Sequence, residues 1–115
     1  MASLLGCAEA RWFAAIAPLV GLRAGRPLAS DPARPDAATC RAGAPLPVLA
    51  FSGDHDATNP IDGGGALYWK YSQVAALQRW GTLNGCTEPY ARDVARTRTS
   101  RVMLAAGEAP PSPYA

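Results

Sequence analysis

The chain has 115 residues, which is enough for one small domain. Hydrophobic residues make up 49% and charged residues 17%, and this composition excludes an intrinsically disordered chain. The formal net charge of +2 is too small to indicate a nucleic-acid partner. No apolar stretch approaches the roughly 18 residues of a membrane span. We therefore expect neither a nucleic-acid partner nor a membrane partner.

The first part of the chain predicts a helix, a strand and a long loop. Residues 1–10 are rich in Ala and Leu and contain no Pro, which favours a short helix. Residues 13–17 are a continuous apolar run closed by Pro18 and Gly21. Such a run is typical of a strand buried on both faces of a parallel sheet, with a buried helix as the alternative. Residues 21–47 hold five prolines and predict a long loop that contains Cys40.

The second part of the chain predicts a clear strand and the best helix. Residues 47–53 read Pro-Val-Leu-Ala-Phe-Ser-Gly and run directly into an acidic turn. Residues 68–84 predict a helix that ends at Asn84-Gly85, where Gly can adopt the left-handed conformation. One stripe of this helix is expected to hold Gln73, Ala76, Leu77, Trp80, Leu83 and Asn84. Residues 87–115 contain an arginine cluster and a proline-rich end, and predict an irregular or weakly helical basic tail.

Strands that alternate with helices favour a parallel α/β sheet. Catalytic groups collect at the carboxyl ends of the strands in such a sheet, and Asp54, His55 and Asp56 follow the clearest strand. A carboxylate at this position can orient a histidine and stabilise its cationic form. The acidic member of a Ser-His-Asp triad does this work.

The order of these segments resembles the polyhydroxybutyrate depolymerase and feruloyl esterase family of α/β-hydrolase esterases. In that family a strand reading roughly Pro-Val-Leu-x-Phe-His-Gly leads into a Thr-x-Asp turn, a Pro and a Gly-Gly pair. A helix ending in Trp-x-x-x-Asn-Gly-Cys follows. This chain has matching residues at 47–53, 54–56, Pro60, 63–64 and 80–86, and the upstream residues 5–7 and 13–18 are also similar. It departs from the pattern at Ser52, where His is common, and at Asp54, where Thr is common.

The resemblance implies a partial α/β-hydrolase domain over residues 1–86, with a parallel sheet in three α/β/α layers, and a divergent basic tail over residues 87–115. It assigns Asp56 as the triad aspartate. The chain has no Gly-x-Ser-x-Gly nucleophile motif, and His55 does not match the triad histidine. The resemblance thus implies a fragment of a secreted serine carboxylic ester hydrolase that is inactive alone. Its substrates would be plant cell-wall feruloyl esters or polyhydroxyalkanoates, without a cofactor or metal.

The three cysteines are most simply one disulfide and one odd thiol, and they match no zinc signature. In a secreted esterase, as the resemblance implies, a disulfide between Cys7 and Cys40 would tie the long loop to the first helix. Buried free thiols are the alternative for a cytosolic protein. The odd thiol is then Cys86.

Three further alternatives stay open at this point. Asp54, Asp56 and Thr58 have calcium-loop spacing, but Asn59 and Gly65 stand where such a loop needs Gly and Glu. The aromatic residues of 69–80 could form a substrate face, although Trp80 shares the apolar stripe of the helix and is expected in the core. The whole chain could also be a small non-catalytic protein, or a decayed reading frame, whose basic tail is its partner surface.

Overall fold

The structure is a computed structural model that describes residues 1–86, 92–96 and 100–104, the last two ranges by their backbone pairing. Within these residues, two α-helices, five strands and two 3-10 turns follow one another. Their bounds in chain order are α1 Ala2–Glu9, a 3-10 turn Ala10–Trp12, β1 Pro27–Leu28, β2 Asp31–Pro35, a 3-10 turn Ala37–Thr39, β3 Leu49–Gly53, α2 Gln73–Leu83, β4 Arg92–Arg96 and β5 Ser100–Leu104. None of the described helices is long and apolar enough to cross a bilayer.

The strands form two separate antiparallel sheets. β1 pairs with β2, and β5 lies between β3 and β4. Leu49 of β3 is opposite Leu104, and Gly53 is opposite Ser100. The prediction of a partial α/β-hydrolase with a parallel sheet in three α/β/α layers is therefore wrong. The physical reason is that one edge of β3 is hydrogen-bonded to an antiparallel strand from the C-terminal part of the chain.

Residues 13–17 do not form the predicted doubly buried strand. Residues 16–19 are joined to residues 48–51 only by isolated parallel bridges. One bridge pairs Ile16 with Val48, and the other pairs Leu19 with Phe51 of β3. The amide of Ile16 donates to Pro47 O and the amide of Leu49 donates to Ile16 O, both over 3.0 Å. Phe13 is 40% exposed and Leu19 is 75% exposed. The apolar run therefore contacts β3 along one edge and leaves much of its side-chain surface open.

The long loop and the tail contain more regular structure than predicted. β1 and β2 pair within residues 27–35, and the Asp36 side chain caps the following 3-10 turn by accepting from the Ala38 amide. The expected irregular tail is wrong for residues 92–96 and 100–104, which are strands of the β3 sheet. The remainder of the tail prediction falls on residues 87–91, 97–99 and 105–115, outside the described residues.

The two predicted helices are present. α1 matches the predicted position, and Gly6 lets it approach the core closely. A Cβ at residue 6 would lie 3.0 Å from Leu46 Cδ2 and 3.1 Å from Trp80 Cη2. α2 begins later than predicted because Ser72 is its N-cap, with its Oγ accepting from the Ala75 amide. It ends at the predicted stop, where Gly85 has a φ of +72°.

The core is formed largely by α2, by the residues just before α2 and by the residues just before β3. Trp80 lies in this core, as the helical stripe predicted, and Trp69 and Tyr71 are also buried. These three rings therefore pack inside the protein and do not form an exposed aromatic face. The largest fully buried side chains are Trp80, Tyr71, Leu22, Leu46, Leu77, Gln73, Val48 and Cys40.

A disulfide joins Cys7 of α1 to Cys40 at the end of the second 3-10 turn, consistent with the expected pairing. The Ala42 amide donates to Cys7 O over 3.2 Å beside this link. Cys40 is buried, and Cys86 is a partly buried cysteine outside this bridge. The bridge holds the proline-rich segment against the first helix.

We expect loss of this disulfide to destabilise the chain by about 2–4 kcal/mol, because the bridge closes a long loop in the unfolded state. The two cysteines are 33 residues apart in sequence. The measurement is urea unfolding of the oxidised chain and of Cys7→Ser/Cys40→Ser. Cys86→Ser is the control for loss of a thiol outside the bridge. An unchanged unfolding midpoint in the double variant would contradict a structural role for the bridge.

We expect Tyr71→Phe to destabilise the protein by about 1–3 kcal/mol, since it removes a hydroxyl that serves buried backbone groups. The Tyr71 hydroxyl accepts from the Ala24 amide over 2.9 Å and donates to Gly25 O. Denaturant unfolding measures the effect, and Tyr68→Phe is the matched control because Tyr68 is exposed. Equal stability of the two variants would show that these hydrogen bonds contribute little.

Candidate functional site

The acidic turn directly follows β3, as the sequence predicted. The Asp56 amide donates to Gly53 O over 3.4 Å, which closes the turn. Asp56 Oδ1 accepts from the amides of Thr58 and Asn59, each over 2.9 Å. This is the geometry of an Asx turn, in which the side chain binds the backbone just ahead of it. The Asp56 carboxylate is therefore fixed in direction and half-buried.

The remaining carboxylate oxygen, Asp56 Oδ2, makes no hydrogen bond within the part of the chain that the structure describes. Because the two backbone amides bind Oδ1, Oδ2 is the atom that can accept from another group. A fixed carboxylate with one such oxygen can orient a neighbouring N–H donor.

The structure does not join His55 to this carboxylate. His55 is exposed, and no hydrogen bond links it to Asp56 among the residues described. Asp54 is half-buried beside it. The described residues hold no group of three or more His, Cys, Asp or Glu side chains that could bind a metal ion.

The buried serines of the described residues, Ser3 and Ser52, have structural partners. Ser52 Oγ accepts from Gln73 Nε2 over 3.0 Å, which links β3 to α2. Ser3 Oγ donates to Gly21 O and accepts from the Arg23 amide. Within the described residues no serine is hydrogen-bonded to the single histidine. The acidic turn by itself therefore holds a carboxylate in place and carries no nucleophile–base pair.

Sequence reasoning missed a second unusual group, Arg23. Its guanidinium stacks on two rings, with Cζ 3.6 Å from the Trp69 centroid and 4.1 Å from the Tyr71 centroid. Nη1 donates to Tyr71 O over 2.9 Å. Burial lowers the pKa of Arg23 to about 10, and burial also raises the pKa of Tyr71. No spacing rule flags an arginine between apolar residues in a loop rich in Pro and Gly.

No family model matches this chain, and neither a curated protein nor a solved structure was found to be similar to it.

The Asx turn predicts that two substitutions of Asp56 will differ in stability. Asp56→Asn keeps the Oδ1 acceptor, so its unfolding free energy should stay within about 0.5 kcal/mol of the parent. Asp56→Ala leaves the Thr58 and Asn59 amides without this acceptor and should cost about 1 kcal/mol. Urea unfolding measures both. Equal loss in the two variants would mean that the charge, and not the hydrogen bonds, maintains the turn.

Proposed function

We propose that this chain is a segment of a secreted serine carboxylic ester hydrolase, to which it contributes the acidic residue Asp56. The observation that carries the proposal is the Asp56 carboxylate itself. It stands just past the end of β3, held at Oδ1 by two backbone amides. A triad acid needs this kind of fixed direction, because its role is to hold an imidazole in one tautomer and orientation.

The chemistry follows from the two carboxylate oxygens. Oδ2 would accept from the Nδ1–H of a histidine, and the negative charge would stabilise the imidazolium formed when that histidine takes a proton from a serine. The serine oxygen would attack the ester carbonyl, expel the alcohol and form an acyl-enzyme that water then hydrolyses. The serine and the histidine would come from polypeptide outside this sequence. Alone, the 115-residue chain should not turn over esters.

The resemblance of residues 1–86 suggests feruloyl esters of the plant cell wall or polyhydroxyalkanoates as the substrates of the intact enzyme. Secretion is supported by the Cys7–Cys40 disulfide, because disulfides persist in oxidising compartments. No cofactor is required by this chemistry.

A second function is favoured by a different observation, the pairing of β5 with β3. Pairing of β3 with a strand from the C-terminal part of the same chain supports the organisation of a small independent protein. In that case the chain is non-catalytic, and its basic tail is the surface that meets a partner. The two functions predict different sequences in the DNA on either side of this coding region.

Translation of the flanking DNA in all frames separates the two functions. The esterase segment requires a Gly-x-Ser-x-Gly motif just upstream and a glycine-rich segment with a histidine downstream. A start signal and an upstream stop codon immediately before Met1 would instead support the small non-catalytic protein.

We expect the purified 115-residue chain to hydrolyse p-nitrophenyl acetate no faster than buffer.

If the longer polypeptide is restored, we expect Asp56→Asn to lower its kcat by about 10⁴-fold, because the histidine loses its negatively charged partner. Asp62→Asn is the matched control, since Asp62 is an exposed aspartate of the loop that follows. Hydrolysis by the short chain that rises with its concentration and vanishes in Asp56→Ala would refute the claim that it is inactive alone. If Asp56→Asn and Asp62→Asn of the longer polypeptide are equally active, Asp56 is not the triad acid.

A further inference from the structure

An open groove lies between the β1–β2 segment and the loop that precedes α2. Its volume is about 570 Å³, within the range of small-molecule sites. Leu28, Leu67 and Tyr68 form much of its apolar wall. Leu67 is 86% exposed and Tyr68 is 58% exposed, so two large apolar side chains border the groove in contact with solvent. The groove shares no lining residue with the Asp56 turn.

The charged residues that line this groove are all cations. Arg23, Arg26 and Lys70 line it, and among the residues that the structure describes no aspartate or glutamate does. Asp36 is close in sequence to the lining residue Pro32, but its carboxylate accepts a hydrogen bond from the Ala38 amide in the 3-10 turn. Within the described chain, Arg26 and Lys70 have no ion pair with a carboxylate. Asp31 precedes the lining residue Pro32 and pairs with Leu28, but it is not itself part of the lining. The lining as such is complementary to an anion.

The three cations are held in different ways. Arg23 is largely buried, and its Nη2 has no hydrogen-bond partner in the described structure. Lys70 Nζ donates to Gly65 O over 2.8 Å and has two further protons to give. The Arg26 backbone is fixed on both sides, since its amide donates to Thr39 Oγ1 and its carbonyl accepts from the Asp36 amide. The Arg26 side chain itself is exposed. Arg26 and Lys70 can therefore meet a ligand directly, and Arg23 adds positive charge from beneath.

We propose that this groove binds a small amphipathic carboxylate, with its charge at Arg26 and Lys70 and its apolar body against Leu28, Leu67 and Tyr68. The cations that line the groove disfavour a cationic ligand, and the apolar wall favours a ligand with a ring or short acyl chain over acetate. The site does not depend on the ester hydrolase proposal, because it uses none of the residues of the acidic turn.

Isothermal titration calorimetry of the oxidised 115-residue chain tests this site with four probes: 3-phenylpropionate, hexanoate, acetate and the neutral 3-phenylpropanamide. We expect at least one of the two amphipathic carboxylates to bind with a Kd on the order of 1 mM, as suits ligands of this size. Acetate and the amide should bind at least about tenfold more weakly, because each lacks one of the two recognised parts. Added salt should weaken the binding.

Two pairs of variants connect the binding to the groove. Arg26→Gln should weaken it about threefold to fivefold, the size expected for loss of one exposed charge contact. Arg41→Gln is its control, an exposed arginine outside the groove lining. Leu67→Ser should also weaken binding, whereas Leu19→Ser, at another highly exposed leucine, should not. Circular dichroism confirms that each variant is folded.

Three results would overturn the proposal. The first is no binding of either amphipathic carboxylate up to about 20 mM, more than tenfold above the expected Kd. The second is equal binding of 3-phenylpropionate and its amide. The third is binding that Arg26→Gln and Leu67→Ser change no more than their controls do. None of these results bears on Asp56, so failure here leaves the hydrolase proposal intact.

Discussion

The backbone of residues 23–25 is held by two buried aromatic side chains, and the packing around α2 depends on this contact. Trp80 Nε1 donates to Arg23 O over 2.9 Å, and the Tyr71 hydroxyl binds the Ala24 amide and Gly25 O. Polar backbone groups of a loop can enter a core only where such partners exist. Because Trp80 is on α2 and Tyr71 just precedes it, the helix and the loop can be buried only together. The Cys7–Cys40 bridge adds a covalent link between the far end of the same loop and α1.

Tyr71 also takes part in holding a cation inside this protein. Arg23 lies against the rings of Trp69 and Tyr71, and its Nε and Nη1 donate to backbone carbonyls. Ring faces and carbonyls offset part of the desolvation penalty but carry no negative charge. The net positive charge therefore persists beneath the groove, where Arg26 and Lys70 add to it. Tyr71 thus contributes both to the packing of the core and to the position of the buried cation beneath the groove.

Local sequence patterns predicted the elements whose formation depends on nearby residues. The strand at 49–53, the helix around Leu77 and Trp80 and the stop at Asn84-Gly85 all follow from apolar spacing and turn chemistry.

The prediction of a parallel sheet was wrong because an apolar run such as 13–17 does not specify its partner strand. Pairing of β3 with β5 joins residues about fifty positions apart, which no local window reveals. Pro27, Pro32 and Pro35 argued against strands, yet both strands of a two-stranded sheet are edge strands, where proline is tolerated. For the site, the sequence placed Asp56 correctly after the strand but gave no sign of Arg23.

The position of Asp56 allows a structural role and a catalytic role at once, because they use different oxygens. The turn needs only Oδ1, which binds the amides of Thr58 and Asn59. A triad needs a second oxygen that accepts from a histidine, and it needs the negative charge. An asparagine at this position would satisfy the turn equally well while supplying no charge. The Asx turn needs the Oδ1 acceptor but does not require the negative charge that distinguishes aspartate from asparagine. In the proposed hydrolase, that negative charge would stabilise the cationic form of a histidine supplied by polypeptide outside this sequence.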